Sequence, residues 1–123
     1  MRFFDTHAHL NDESFDTDRA ALIEGLPSCG AELILDVACA AEDFEKTLEI
    51  TAKYPFIYGA YGIHPHYASD PGENWEARLR RALCDKKAAC LGEIGLDYHY
   101  DLSEKEDQKK LFDYQLKLAK ELG

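Results

Sequence analysis

The sequence holds no basic stripe, no apolar stretch near the length of a membrane span, no Cys-x-x-Cys pair and no low-complexity segment. Each absence narrows the function. Acidic residues number 24 against 14 basic ones, for a net charge of −10. That balance argues against tight nucleic-acid binding by protein charge alone, which needs Lys and Arg gathered against the phosphates. A phosphodiester substrate would therefore need bound cations to neutralise it. Nothing approaches the roughly 20 apolar residues of a transmembrane helix, and residues 1–15 lack the basic start and apolar core of a secretory signal. No membrane partner is expected, and the expected compartment is the cytoplasm. The four cysteines, Cys29, Cys39, Cys84 and Cys90, fit neither a zinc ribbon nor a disulfide framework, so buried or half-buried free thiols without a role are expected.

With 123 residues, 46% of them hydrophobic, the chain reads as one domain in which a strand and then a helix recur four times. Phe3 to Thr6 forms the first strand. A helix follows from near Asp16, a plausible N-cap, with Leu22, Ile23 and Leu26 on one face and Pro27 near its end. Residues 32–38 form the second strand, and the helix after it runs from about Ala41 to Lys53, where Tyr54-Pro55 stops the pattern. Residues 56–61 form the third strand, with Gly59 placed for close backbone passage. Asn74 caps a helix whose Trp75, Leu79 and Leu83 recur every fourth residue. Residues 88–93 form the fourth strand. Ser103 to Glu106 reads as a capping box opening a long helix, with Leu111, Tyr114, Leu118 and Leu122 inward and Gly123 as a C-terminal cap.

This spacing suits right-handed parallel βαβ units. A doubly wound sheet would gather its ligand at one switch point. Here polar clusters follow strands one, three and four, which favours a (β/α)8-type architecture. Such a barrel takes about 250 residues, so the four units present make half of one. The helix cap at Gly123 places the end of the sequence at an element boundary, and both sheet edges and the concave face are then open unless something covers them.

The first polar cluster is Asp5-Thr6-His7-Ala8-His9-Leu10. Alternation along a strand points His7 and His9 the same way, near enough to share a metal ion. A pair of solvated residues in a turn is the plainer alternative. The others are Tyr61-Gly62-Ile63-His64-Pro65-His66 and Gly92-Glu93-Ile94-Gly95-Leu96-Asp97-Tyr98-His99, each at the end of an apolar run.

In order and register along nearly the whole chain, these motifs resemble the N-terminal half of a TatD-family metal-dependent deoxyribonuclease, within the amidohydrolase superfamily. The resemblance implies that residues 1–123 are half of a TIM barrel that hydrolyses DNA phosphodiesters, often as a 3'-to-5' exonuclease, with one or two divalent ions at its mouth. It implies His7, His9 and Glu93 as metal ligands, with Glu93 also catalytic as the bridging carboxylate. Imidazole with carboxylate suits Mg²⁺, Mn²⁺ or Zn²⁺ alike. His64 is expected to meet a substrate phosphate or a bound water, and His66, Asp97 and Tyr98 to line the substrate groove. Asp5 is expected to orient a ligand histidine or bond backbone. The family's later histidine ligands and late aspartate have no counterpart here.

Two alternatives remain at this level. One is another hydrolase opening on His-x-His, a histidinol-phosphatase-type phosphoesterase or a cyclic-amide amidohydrolase, although the latter would want a lysine at position 93. The other is a non-catalytic half-barrel. The expected partners are DNA and, to close the sheet, a second copy or a complementary C-terminal half.

Overall fold

The computed structural model describes residues 1–123. Strands β1 (Phe3–Ala8), β2 (Ala31–Ala38), β3 (Ile57–Tyr61) and β4 (Ala88–Leu91) alternate with helices α1 (Arg19–Gly25), α2 (Phe44–Lys53), α3 (Trp75–Leu83) and α4 (Lys105–Leu122). All neighbouring strands are parallel, in the order β1-β2-β3-β4. Every crossover thus steps to the next position in one direction, so there is no switch point and the doubly wound alternative falls. The architecture is an α/β half-barrel, four (β/α) units of the eight in a TIM barrel.

Strand register decides which side chains meet the helices. Ile34 pairs with Ile57, Asp36 with Gly59 and Ala38 with Tyr61, and this face of the sheet is buried. One cluster joins Leu10, Ile23, Ile34, Ile50 and Ile57 beneath α1 and α2. A second joins Ala38, Phe44, Tyr61, Ile63, Leu79, Leu111 and Leu118 beneath α2, α3 and α4. Within it Phe44 meets Tyr61 edge to face, ring centroids 5.8 Å apart. Side chains of this size each contribute about 1.5–3 kcal/mol when withdrawn from water. The other face pairs Phe4 with Leu33, Leu35 with Tyr58 and Ala60 with Cys90. There Phe4, Leu33 and Tyr58 stand 55%, 39% and 37% exposed, as expected of the concave side of an open barrel.

Several local expectations give way to tertiary contacts. The first helix starts at Arg19 rather than near Asp16, and Asp16 accepts from Arg19 and Lys46 instead of capping. Asn74 does occupy the cap position of α3, in a left-handed conformation and without a side-chain capping bond. The capping box at Ser103 does not form. Its hydroxyl donates to the carbonyl of His66 at 2.7 Å and accepts the Ser69 amide at 3.1 Å, so a long-range tie replaces the local one. Leu122 is exposed; the buried face of α4 carries Gln108 and Gln115 with Leu111 and Leu118. Gln115 clamps both the amide (2.7 Å) and the carbonyl (3.0 Å) of Ile63. Cys29, Cys84 and Cys90 are exposed and only Cys39 is half-buried, because three of the four sit at turns or on the open concave face. Gly59 gives room to a side chain rather than to backbone: a Cβ there would lie 2.4 Å from the Tyr61 hydroxyl.

The C-terminal end of α2 is closed by a lysine from the β4 side. Lys87 Nζ donates to the carbonyls of Thr51 (2.9 Å), Tyr54 (2.8 Å) and Pro55 (3.0 Å). A cation is favoured at this negative end of the helix dipole, and the carbonyls there lack helical partners. Replacing Lys87 with Met keeps the stem and removes the donors. It is expected to lower stability by about 1–2 kcal/mol, read as a fall in the urea midpoint at unchanged slope; an unchanged midpoint would show the cap to be energetically idle.

Candidate metal centre

His7 and His9 leave the C-terminal end of β1 with their Nε2 atoms 3.2 Å apart. Asp5 acts on backbone, its Oδ1 accepting the His7 amide at 3.0 Å. His9 Nδ1 lies 2.9 Å from the carbonyl oxygen of Val37. A carbonyl only accepts, so the ring proton of His9 is held on Nδ1 and the lone pair of Nε2 is left facing His7. The next β2 residue toward the strand start completes the support. Asp36, fully buried, accepts the Leu10 amide (2.6 Å), the Asn11 amide (3.3 Å) and the Asn11 side chain (3.2 Å) on Oδ1, and the Thr47 hydroxyl (2.9 Å) on Oδ2. Burial pushes its carboxyl above the usual range, and these four bonds oppose that push. Asn11 also donates to the Val37 carbonyl at 2.8 Å, so one carbonyl serves both His9 and the residue that anchors its loop.

Glu93 arrives from the exit of β4. Its Oε2 is 3.3 Å from His7 Nε2 and 3.7 Å from the Cys39 thiol, and its Oε1 is 3.7 Å from His64 Nε2. Gly62 lets the Gly92–Glu93 backbone pass close by, since a Cβ there would stand 2.8 Å from both the Gly92 carbonyl carbon and the Glu93 main-chain carbonyl oxygen. One donor atom from each of His7, His9 and Glu93 lies within 4.8 Å of the others. Two imidazoles and a carboxylate, with coordination positions left open, fit a divalent ion. Burial and the charges of Glu93 and Asp43 push the Cys39 thiol up to about 12, so it faces Glu93 as a neutral S–H.

His64 and His66 stand at the exit of β3. Burial, followed by the neighbouring His66, holds the His64 imidazole below its ordinary range, and it stays neutral at pH 7. The His66 amide donates to His64 Nδ1 at 3.2 Å. His66 Nε2 makes a short bond to Asp97 Oδ2, while Asp97 Oδ1 accepts the amides of His99 (2.8 Å) and Tyr100 (3.2 Å). The bond from His66, then that from His99, holds the Asp97 carboxyl below the usual carboxylate range. His66 and Asp97 are thus committed to each other at the rim. Tyr98 is turned toward Lys105, whose ammonium sits 5.1 Å from its ring centre. Tyr100, not Tyr98, lines the pocket with His64, His66 and Glu93.

An open cavity of about 610 Å³ adjoins the cluster, lined by His9, His64, His66 and Glu93 together with Asp12, Glu42, Asp43 and Lys46. Its excess of carboxylates favours cations and opposes bare phosphate. Asn11, Asp36, Thr47 and Cys39 escaped the sequence reading. One signal was available: Asp36 interrupts the apolar run Leu33-Ile34-Leu35, and a lone carboxylate inside a buried strand must find donors.

The chain matches the family model described as TatD related DNase over residues 4–123. It is 41% identical to the uncharacterized metal-dependent hydrolase YabD of Bacillus subtilis, across 98% of this chain and 47% of that protein. It is 31% identical to the 3'-5' ssDNA/RNA exonuclease TatD of Cronobacter sakazakii, across 98% and 46%. The crystal structure of YjjV, a TatD homolog from Escherichia coli K12, superposes with a TM-score of 0.87 at 35% identity, over 98% of this chain and 48% of that one. The chain thus spans about half the length of the relatives it matches. With the family match running through all three polar strand ends, this chain belongs to the TatD related DNase family.

Proposed function

We propose that residues 1–123 are the N-terminal half of a metal-dependent DNA phosphodiesterase barrel, working as a 3'-to-5' deoxyribonuclease once the barrel is complete. The observation that carries this is the convergence of His7, His9 and Glu93 within 4.8 Å at the C-terminal end of a parallel sheet, where barrel active sites are built. The exonuclease name of one relative supports the choice of substrate. His7 and His9 through Nε2, and Glu93 through its carboxylate, would hold one or two divalent ions such as Mg²⁺, Mn²⁺ or Zn²⁺. When present, the ions supply Lewis acidity toward a phosphate oxygen and acidify a water. The chain's own residues position: His64 reaches the substrate phosphate, and the His66–Asp97 pair, with Tyr100 beside it, borders the DNA strand. No helix is long and apolar enough to cross a membrane, and we assign the protein to the cytoplasm.

Three protein donors make an open and incompletely neutralised site. Calorimetry of this chain with Mn²⁺ is expected to show weak binding, reduced a further tenfold or more by Glu93→Gln; tight binding of two ions would contradict an incomplete site. Activity is tested by mixing the chain with the C-terminal half of YjjV. With a 5'-labelled single-stranded DNA and Mg²⁺, products shortened stepwise from the 3' end are expected, abolished by Glu93→Gln. Shortening from the 5' end, or activity retained by the variant, would reject the assignment.

The exposed Phe4, Leu33 and Tyr58 face has to be covered. In the absence of a complementary half we propose a second copy, across an interface above roughly 1,000 Å². Sedimentation at micromolar concentration should give a dimer; a monomer with a dispersed NMR spectrum would rule this out.

A further inference from the structure

Two buried glutamines on one face of α4, Gln108 and Gln115, make the same bond pattern two helical turns apart. The Gln115 side chain accepts the Ile63 amide at 2.7 Å and donates to the Ile63 carbonyl at 3.0 Å. Gln108 treats Asp97 alike, accepting its amide at 2.9 Å and donating to its carbonyl at 3.1 Å, and it also donates to the Ser103 carbonyl at 2.9 Å. Each primary amide stands in for a strand neighbour. Strand β4 ends at Leu91, and the Gly92 amide makes the last bond to β3, at the Tyr61 carbonyl (3.0 Å). The amides of Gly62 and His64 still donate to Ala38 and Cys39 at the end of β2 (3.4 and 2.8 Å), whereas that of Ile63, between them, points the other way and has run out of strand. Gln115 takes that place.

Both clamped residues adjoin the rim of the site. Ile63 leads directly into His64, and Asp97 carries the carboxylate to which His66 Nε2 bonds. The His66 carbonyl in turn accepts the hydroxyl of Ser103, two residues ahead of α4, at 2.7 Å. The turn from His64 to His66 is therefore gripped at its entry, at its exit and through a side chain, each time from α4 or its lead-in. His7, His9 and Glu93 are held otherwise. They face one another and the end of β2, with His9 against the Val37 carbonyl and Glu93 against the Cys39 thiol. The site thus has two frames, β2 for the metal cluster and α4 for the rim.

We propose that Gln108 and Gln115 are positioning residues. From α4 they set the rim made by the His64–His66 turn and Asp97, independently of the His7, His9 and Glu93 cluster, and so govern how well a DNA strand is gripped rather than how an ion is bound. The DNA strand rests on the phosphodiesterase reading, whereas the clamps and the independence of the two frames do not.

Hydrogen exchange on the unaltered chain is the first test. The Ile63 and Asp97 amides should exchange in step with those of Leu111 and Leu118 in α4 as urea is raised, because their acceptors leave only when α4 does. Exchange of either at the rate of an open loop, with α4 still protected, overturns the proposal. The second test uses Gln108→Met and Gln115→Met, which keep length and bulk and remove both the donor and the acceptor. In each, affinity for single-stranded oligothymidylate at saturating Mg²⁺ should fall about tenfold, while Mn²⁺ affinity, read from paramagnetic broadening at His9, stays within about twofold of the parent. Ser103→Ala is the gentler variant, cutting the tie to the His66 carbonyl alone among the rim contacts, and should lower DNA affinity about threefold with the same Mn²⁺ affinity. A parallel fall in Mn²⁺ and DNA affinity would make the glutamines general supports of the fold, and unchanged DNA affinity in the variants would remove the positioning role. If the parent does not bind the oligonucleotide while exchange and Mn²⁺ binding are as stated, the phosphodiesterase reading fails and the two frames survive.

Discussion

One buried carboxylate organises the active end of the half-barrel. Asp36 has no solvent exposure and accepts four hydrogen bonds, three from the loop after β1 and one from α2. Strand β1 is the edge of the sheet and most of its residues are exposed, so apolar burial does little to fix where it ends. Asp36 supplies the missing constraint by drawing Leu10 and Asn11 down against β2 and Thr47. Arg19 closes the same loop from above, donating to the carbonyls of Leu10 and Asp12 at 2.6 Å each. With Leu10 held, His9 has one place to be, with Nδ1 against the Val37 carbonyl. Taking away Asp36 would orphan several buried donors at once, which is far costlier than the sum of weak contacts it resembles on paper.

The histidines differ in role because the backbone presents them with opposite partners. A strand exit offers His9 a carbonyl, and the ring answers with its proton at Nδ1. A proline-led turn offers His64 an amide, and the ring answers with its lone pair. His66 meets a carboxylate through Nε2 and is tied to Asp97. Side-chain chemistry is the same in all three; the neighbouring main chain and one carboxylate decide which nitrogen faces the cavity.

The four strands, their parallel order and the shared direction of His7 and His9 were legible because each rests on signals a few residues long: an apolar run, a turn, alternation along a strand; Glu93 was placed beside them by the family resemblance. Where the sequence misled, a distant group outbid a near one. Ser103 had a capping partner three residues on and used its hydroxyl on His66 and Ser69 instead. Asp16 was taken by Arg19 and Lys46. Gln108 and Gln115 look like surface residues on α4, yet they are buried because loop amides and carbonyls at Asp97 and Ile63 have no other partner. Tyr98 and Tyr100 cannot be told apart in sequence, and only the path of the loop after β4 brings the second to the pocket.

Electrostatics gives a reason for keeping the His64 ring uncharged. The cavity is lined by Asp12, Glu42, Asp43 and Glu93 with Lys46 as its lone lysine or arginine, so the positive charge a phosphate requires must come with ions. At an effective dielectric near 20, two unit charges about 4 Å apart interact by about 4 kcal/mol. An imidazolium at His64, so close to Glu93, would therefore compete with the very ions that carboxylate attracts. A neutral N–H avoids that competition and still offers a directed dipole to an anionic oxygen. The turn that Pro65 opens is thus an electrostatic element as well: the His66 amide, by donating to His64 Nδ1, opposes a proton there and with it a charge on the ring beside Glu93.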